Sequence, residues 1–112
     1  MRRLIVAISG ASGVIYGIRT LERLRQIADV ESHVIITPSA YRTALAEVDY
    51  SPEEIKALAD HLYNHKDIGA AISSGSFQTD GMIVAPCSIK TLSAIANSFN
   101  AELIARSADV CL

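Results

Sequence analysis

The sequence has few of the features that mark secreted, membrane or nucleic-acid-binding proteins. Its two cysteines, Cys87 and Cys111, are too few for a disulfide framework and fit a reducing cytoplasm. No apolar run is long enough to cross a bilayer, and Ser9 and Gly10 interrupt the first run too early for a signal peptide. Basic residues do not cluster, and the net charge is −2. These absences predict a cytoplasmic protein that binds neither membrane nor nucleic acid.

What is present is typical of a globular protein. Of the 112 residues, 50% are hydrophobic and 20% are charged. A domain of this size buries about 65% of its unfolded surface, enough to fold around one core without disulfides. There is no internal repeat, linker or low-complexity stretch. We therefore predict a single domain over residues 1–112.

Short apolar runs alternate with helical patterns along the chain. Runs rich in β-branched residues predict buried strands at residues 3–8, 33–37 and 82–86. The intervening and following segments are compatible with helices, at residues 14–27, 39–48, 51–64, 88–98 and 102–112. This alternation predicts an α/β fold of the Rossmann or flavodoxin-like kind, a three-layer structure with a parallel sheet and right-handed crossovers.

The predicted sheet is thin. A doubly wound sheet usually continues past a third strand, and the edge of a three-stranded sheet has unpaired backbone groups that favour a neighbour. Either another chain completes the sheet or the sequence is a fragment of a longer protein. We therefore expect a truncated form of the fold.

The segment 51–64 has the strongest local signal for a helix. Ser51 is a typical N-cap, Pro52 suits the first helical position, and Glu54 completes a capping box. Apolar residues then follow at helical spacing. The predicted buried stripe comprises Ile55, Leu58, Ala59 and Leu62.

The turn after the first strand has the composition of a phosphate-binding loop. In "LIVAISGASGVIYG", residues 4–17, an apolar run is followed by glycines at Gly10, Gly13 and Gly17. Backbone N–H groups and a helix N-terminus point beyond the carboxyl end of such a strand, and glycines allow a close approach. Ser9 and Ser12 add hydroxyl groups. The alternative is that the glycines only let the strand pack tightly on the helix.

The details of this turn separate three kinds of phosphate ligand. A nucleoside triphosphate site requires a lysine and a hydroxyl residue after the last glycine, where Ile18 and Arg19 stand instead. A nicotinamide dinucleotide site requires an acidic residue at the end of the second strand, but this strand ends at Thr37 with no carboxylate. A monophosphate such as FMN has neither requirement. The turn therefore favours FMN.

A second turn of similar character follows the third strand. In "APCSIKTLSAI", residues 85–95, Ser88 can cap the next helix, Thr91 adds a hydroxyl, and Lys90 adds a positive charge. If the strand order is 2-1-3, this turn lies beside the first one at the point where such sheets bind ligands. Taken alone, this turn favours a well-capped helix with a surface lysine. Paired with the first turn, it favours a ligand site.

The motifs "ISGASGVIYG", "ISSGSFQTDGMIVAPCSIKTLSAI" and "RSADVCL" resemble the UbiX family of flavin prenyltransferases, which includes the B subunits of phenolic acid decarboxylases. The resemblance covers the whole chain. It implies an FMN-binding α/β domain that forms homo-oligomers, trimers or dodecamers. The implied reaction transfers a dimethylallyl group from dimethylallyl monophosphate to reduced FMN without a metal. Its product, prenylated FMN, is the cofactor of UbiD-type decarboxylases, the implied partners.

The resemblance also implies site residues. Thr37 stands where the family usually has a serine, and its hydroxyl is retained. Ser12 and Glu47 match positions near flavin N5 and the prenyl group, where they can orient the flavin and relay a proton. From the sequence alone, without the resemblance, a solvated carboxylate after a short helix is the favoured interpretation of Glu47. The residues implied to contact FMN are Ser9, Gly10, Ala11, Thr37, Ser88, Ile89, Lys90 and Thr91.

The most serious departure of this sequence from the family pattern concerns family residues that have no counterpart in it. Family chains continue past residue 112 into a part that has further strands. That part also has an arginine for the flavin phosphate, and a tyrosine and an arginine for dimethylallyl phosphate. These cannot be matched here. Two alternatives therefore stay open: a non-catalytic FMN-binding partner subunit of a decarboxylase, and an inactive truncated remnant. A flavin-dependent cysteine decarboxylase requires a histidine near the flavin, and His33 is poorly placed for that role.

Two other groups of residues invite a chemical interpretation. His61 and His65 are four residues apart near the end of the predicted helix, a spacing that can chelate a metal. With no third ligand in view, we predict solvated histidines and no metal. Cys87 has no histidine placed to activate it, so we predict a small apolar contact beside the flavin rather than a nucleophile.

Overall fold

A parallel sheet forms the centre of the molecule, described for all residues 1–112 by a computed structural model. Its strands are β1 Arg2–Ile8, β2 Val30–Ile36, β3 His61–Tyr63 and β4 Gly81–Val84. The helices are α1 Val14–Arg25, α2 Pro38–Glu47, α3 Pro52–Lys56, α4 Ile89–Ala96 and α5 Leu103–Cys111, with a short 3₁₀ turn at Ala71–Ser73. The predicted α/β class is confirmed.

The strand order is β3-β2-β1-β4, with every pair parallel. The three strands predicted from the sequence correspond to β1, β2 and β4, and β1 lies between the other two as predicted. Ile8 is paired with Ile36, and Ala7 is paired with Val84. The carboxyl ends of these strands therefore finish together at one edge of the sheet.

The core is divided between the two faces of the sheet because side chains alternate along each strand. On one face, Val6, Ile8, Val34 and Ile36 pack against α1 and α2. On the other, Ile5, Ala7 and Ile35 pack against the 3₁₀ turn and α5. Each fully buried isoleucine contributes about 1.5–3 kcal/mol to stability. Because β1 is buried on both faces, its sequence is a continuous apolar run.

The predicted helix over residues 51–64 is wrong beyond its first turn and a half. The capping box of Ser51 and Glu54 is present, but α3 ends at Lys56. Residues 61–63 instead form β3, which pairs with the outer edge of β2. Just before it, the Asp60 carboxylate accepts from the N–H of Ser32 at 2.8 Å. Pairing with the open edge of β2 thus outweighs the helical spacing of the apolar residues.

Two expectations that depended on this helix change with it. Leu62 is 44% exposed and does not complete a buried stripe, although Ile55 is buried. His61 lies on β3, and His65 lies in the loop after it, so the two histidines do not share a helix. No helix combines the length and the apolar character needed to cross a membrane.

The β4 side of the molecule is thinly covered. No strand pairs with the outer edge of β4, and Ile83 on that strand is exposed. Helix α4 has no buried residue, and its first residue, Ile89, is 86% exposed. This agrees with the expectation of an incomplete sheet edge.

Candidate functional site

The two hydroxyl-rich turns are joined directly by hydrogen bonds. Ser9, at the end of β1, donates from Oγ to the carbonyl oxygen of Pro86 at 2.9 Å. The same Oγ accepts from the N–H of Ser88 at 2.7 Å. Ser9 is 1% exposed, so this one hydroxyl holds both turns in a fixed relation. The predicted meeting of the two turns is therefore observed.

The end of β2 joins the same region. The N–H of Thr37 donates to the carbonyl oxygen of Ile8 at 3.1 Å, and Thr37 Oγ1 caps α2 by accepting from the N–H of Ala40 at 3.1 Å. Its hydroxyl also lies 3.0 Å from Ser39 Oγ. Thr37 thus orients α2 and contributes a polar side chain to the same edge of the sheet.

A cavity of about 460 Å³ lies between these three strand ends. It brings together part of the predicted FMN set, namely Ser9, Thr37, Ser88, Lys90 and Thr91. The remaining predicted residues do not line this cavity; they are Gly10, Ala11, Ser12, Glu47 and Ile89.

The glycines of the first turn have different roles. A Cβ on Gly10 would overlap the side chain of Ser39, so this position admits no side chain. A Cβ on Gly17 would overlap the carbonyl oxygen of Ala85, so Gly17 lets α1 pack against the second turn. Gly13 has φ 99°, the left-handed conformation that favours glycine. The packing alternative therefore holds for both close contacts: Gly17 lets α1 pack against the second turn, and Gly10 lets the first turn pack against Ser39 of α2.

Ser12 and Glu47 form a hydrogen-bonded pair at the start of α1. Ser12 Oγ donates to Glu47 Oε2 at 2.8 Å, and the N–H of Gly13 donates to Glu47 Oε1 at 3.0 Å. The hydrogen bond from Ser12 and then that from Gly13 lower the pKa of Glu47. An anion at a helix N-terminus is also favoured by the helix dipole. Glu47 is therefore a fixed, ionised group rather than a freely solvated one.

The second turn is built as a helix N-terminus. Ser88 Oγ accepts from the N–H of Thr91 at 3.2 Å and donates to Thr91 Oγ1 at 2.9 Å, which confirms the predicted N-cap. Lys90 and Ile89 are exposed on the first turn of α4. Burial raises the pKa of the Cys87 thiol, which disfavours a thiolate nucleophile at this position.

Sequence reasoning missed one cationic residue of this site. Arg42 on α2 lines the cavity together with Lys90, and neither side chain forms an ion pair. The sequence signal that could have identified Arg42 is its position, one turn into the helix that follows β2. The surface of the cavity is mainly apolar, and its lining also includes the carboxylate of Glu102. Two unpaired cations and one carboxylate around an apolar cavity suit a ligand that joins an anionic group to an apolar body.

Comparison with known proteins extends these observations. A family model described as Flavoprotein matches residues 1–112. Over all 112 residues the chain is 54% identical to the flavin prenyltransferase UbiX of Escherichia coli (strain K12), and it spans 59% of the length of that relative. This confirms the resemblance found in the sequence motifs.

Two crystal structures show the same architecture. AnUbiX in complex with FMN and dimethylallyl pyrophosphate superposes with a TM-score of 0.94 and 49% identity, over 97% of this chain and 57% of that one. A dodecameric FMN-dependent UbiX-like decarboxylase from Escherichia coli O157:H7 superposes with a TM-score of 0.94 and 45% identity, over 96% of this chain and 58% of that one. With its full length matched by the family model and its fold shared with these structures, the chain belongs to the Flavoprotein family.

Proposed function

We propose that this chain forms the flavin-binding part of a flavin prenyltransferase, which transfers a dimethylallyl group from dimethylallyl monophosphate to reduced FMN. The observation that carries the proposal is the hydrogen bond from Ser88 N–H to Ser9 Oγ, which joins two hydroxyl-rich turns in one site. The names of the related proteins support the same activity. In this proposal residues 1–112 act as one FMN-binding domain.

The chemistry of the cavity fits a flavin mononucleotide. Its volume of about 460 Å³ falls within the range of about 300–1,000 Å³ of small-molecule sites. Lys90 and Arg42 form no ion pair, although Glu102 lines the same cavity, and both cations are available to the phosphate. Gly10 lets the first turn pack against Ser39, which itself lines the cavity. The proposed FMN contacts are Ser9, Gly10, Ala11 and Thr37 on one side, and Ser88, Ile89, Lys90 and Thr91 on the other.

The proposed catalytic pair is Ser12 and Glu47. Reduced FMN supplies the nucleophilic nitrogen N5. Because Glu47 is held ionised, it keeps the Ser12 hydroxyl pointed at its own Oε2. Ser12 and Glu47 lie outside the cavity, so this role requires the flavin ring to extend from the cavity over the first turn. The lone pairs of Ser12 Oγ are free to accept a hydrogen bond there from an N–H group of the flavin. A proton received at Ser12 Oγ can pass to Glu47 Oε2, which is the relay that ring closure requires.

Titration of the chain with FMN, followed by flavin fluorescence, tests the proposed phosphate contact. Lys90→Gln removes a charged hydrogen-bond donor, and we expect the FMN affinity to fall about tenfold or more. Lys66→Gln removes an exposed lysine that lines none of the larger cavities, and we expect no change. Equal affinities for the two variants would contradict the assignment of the phosphate to this cavity.

The prenyl transfer itself is tested by incubating the chain with reduced FMN and dimethylallyl monophosphate and measuring the flavin mass. The expected product has the mass of FMN with one added prenyl group. Glu47→Gln should bind FMN normally but yield less product. If Glu47→Gln binds FMN as tightly as the wild type and also forms product at the same rate, the proposed relay is wrong.

A second candidate is a non-catalytic FMN-binding subunit that serves an aromatic or phenolic acid decarboxylase. This candidate predicts FMN binding at the same cavity with no prenylated product. An inactive remnant predicts neither binding nor product.

We also propose that the protein acts as a homo-oligomer, a trimer or dodecamer, in the cytoplasm. The dodecameric related structure supports assembly, and exposed apolar residues on α4 offer a surface for it; they include Ile89 and Leu92. The two free cysteines are compatible with a reducing compartment. The recipient of the prenylated FMN in this proposal is a UbiD-type decarboxylase.

A further inference from the structure

Two histidines are stacked side by side on one face of the sheet, on β2 and the edge strand β3. His33 on β2 is the register partner of His61 on β3, and their rings lie 4.6 Å apart with an angle of 12° between the planes. One carboxylate serves both rings, because Glu31 Oε1 lies 2.6 Å from His33 Nε2 and 3.5 Å from His61 Nε2. None of these three residues lines the cavity of the proposed flavin site.

Hydrogen bonds at both nitrogens fix the protonation state of His33. A carboxylate can only accept, so His33 Nε2 carries the hydrogen of its bond to Glu31. In the neutral ring, Nδ1 is then an acceptor, and the Tyr63 hydroxyl, 2.8 Å away, donates to it. Both nitrogens are therefore satisfied without a charge on the ring. A second proton can enter only at Nδ1, where it would force the Tyr63 hydroxyl to turn.

The surroundings of His33 oppose a positive charge on its ring. The side chain is 3% exposed, and burial is the main reason why the pKa of His33 is lowered. The hydrogen bond to Glu31 acts in the opposite direction, whereas His61 and Arg3 lower the pKa further through their own charge. The charged or titratable groups that face His33 are Arg3 on β1, Glu31 on β2, and His61 and Tyr63 on β3.

Strand β3 has few other contacts that hold it in the sheet. It has three residues and pairs with β2 alone, and Leu62 at its centre is 44% exposed. Just beyond the strand, the carbonyl oxygen of His65 accepts from the N–H of Leu103 at the start of α5, at 2.9 Å. His65 also lines the cavity of the proposed flavin site. A displacement of β3 therefore reaches both α5 and the wall of that cavity.

We propose that the stacked pair of His33 and His61 makes the pairing of β3 with β2 sensitive to pH, so that acid releases the edge strand. When both rings are protonated, two cations 4.6 Å apart face one carboxylate, and one of these cations is buried. The proposal does not depend on the proposed function.

The direction of the pH effect follows from the lowered pKa of His33. Because the opened strand exposes this ring to water, the open form binds the proton more tightly than the folded form. The pairing of β3 is therefore fully stable at neutral pH and loses stability as pH falls below the ordinary pKa of a histidine, about 6.5.

NMR of the imidazole nitrogens in the ¹⁵N-labelled full chain, from neutral pH to about pH 4.5, tests the state of His33. We expect the hydrogen of the neutral ring on Nε2 and a titration below about 6.5. His61→Gln removes the neighbouring cation, so His33 should then titrate at higher pH. His65→Gln removes a histidine outside the pair and should leave the titration of His33 in place. A hydrogen on Nδ1, or a titration at or above the ordinary value, would overturn the proposal.

Amide hydrogen exchange over the same pH range measures the opening of β3. After correction for the intrinsic exchange rate, the opening constant of the β3 amides should rise in acid. The rise should be about tenfold for each pH unit by which folding lowers the pKa of His33, and smaller in His61→Gln. The N–H of Leu103 should lose protection together with β3, while the amides of β1 stay protected. Unchanged protection of β3 in acid would contradict the proposal. Equal loss in β1 and β3 would also contradict it, because the whole sheet would then open rather than its edge.

Discussion

At the scale of single residues, two buried serines differ in whether their hydroxyl groups are hydrogen-bonded, and only the hydrogen-bonded one joins the two turns. Ser9 is 1% exposed and makes hydrogen bonds to both Pro86 and Ser88. Ser107 is 0% exposed, and its hydroxyl makes no hydrogen bond. A buried donor that loses its partner is costly, whereas removing an unsatisfied hydroxyl relieves a cost.

We therefore expect opposite results from the same substitution at these serines. Ser9→Ala leaves the N–H of Ser88 without a partner and should lower the free energy of unfolding by about 1–3 kcal/mol. Ser107→Ala should leave the free energy of unfolding unchanged or raise it. Urea denaturation measures both. Equal losses in the two variants would contradict the role assigned to Ser9.

The pH dependence of stability tests the placement of Glu47. Hydrogen bonds from Ser12 and then Gly13 lower its pKa in the folded chain. Such a carboxylate stabilises the fold above the ordinary pKa of a glutamate and loses this contribution as pH falls through its lower folded-state pKa. Glu47→Gln should therefore lower the melting temperature at neutral pH and converge with the wild type in acid.

A matched control for this measurement is Glu53→Gln. Glu53 is an exposed carboxylate whose ion pair is with Lys56 at 3.7 Å on the same short helix. We expect the melting temperature of Glu53→Gln to equal that of the wild type at every pH. A Glu47→Gln curve parallel to the wild type from neutral pH into acid would show that the carboxylate is not held as described.

At the same scale, the sequence predicts some site residues better than others. The hydroxyl and glycine positions of the two turns could be predicted because each is adjacent in sequence to a strand end, as with Ser9 and Ser88. The role of Arg42 could not, because its place beside Lys90 depends on how α2 and α4 approach each other in space. The partners of Glu47 lie 33 to 35 residues away, beyond any local pattern.

At the scale of elements, long-range pairing between strands determines the conformation of segments that local sequence patterns predict wrongly. Strands β1 and β4 could be recognised because burial on both faces leaves an uninterrupted apolar run. Strand β3 could not, because its residues continue the helical spacing that begins at Ile55. The open edge of β2 and the bond from Ser32 N–H to Asp60 settle its conformation. A sequence pattern contains no information on either partner.

The packing of α1 against the second turn yields an element-scale prediction. A Cβ at Gly17 would overlap the carbonyl oxygen of Ala85 and lie 2.9 Å from Ile8 Cδ1. Gly17→Ala should therefore push α1 away from the second turn and destabilise the fold by about 1–3 kcal/mol. We also expect it to weaken FMN binding.

The control for this prediction is Gly75→Ala. No atom lies within 4 Å of a Cβ at Gly75, so this variant should fold and bind FMN as the wild type does. Urea denaturation and FMN titration on both variants make the comparison. Equal behaviour of the two variants would contradict the close contact between α1 and the second turn.

At the scale of the whole molecule, strand order creates the site. Because β1 lies between β2 and β4, the segments that follow these strands converge at one edge of the sheet. The same topology places Glu31, His33 and His61 on β2 and β3, away from that edge.

The most direct test of the central claim is an amide ¹H–¹⁵N NMR titration of the chain with FMN. The account predicts that signals of residues 9–12 and of residues 88–91 shift together, with a single dissociation constant, while those of Glu31 and His61 stay in place. Shifts confined to one turn, or absent from both, would contradict a flavin site shared by the two turns.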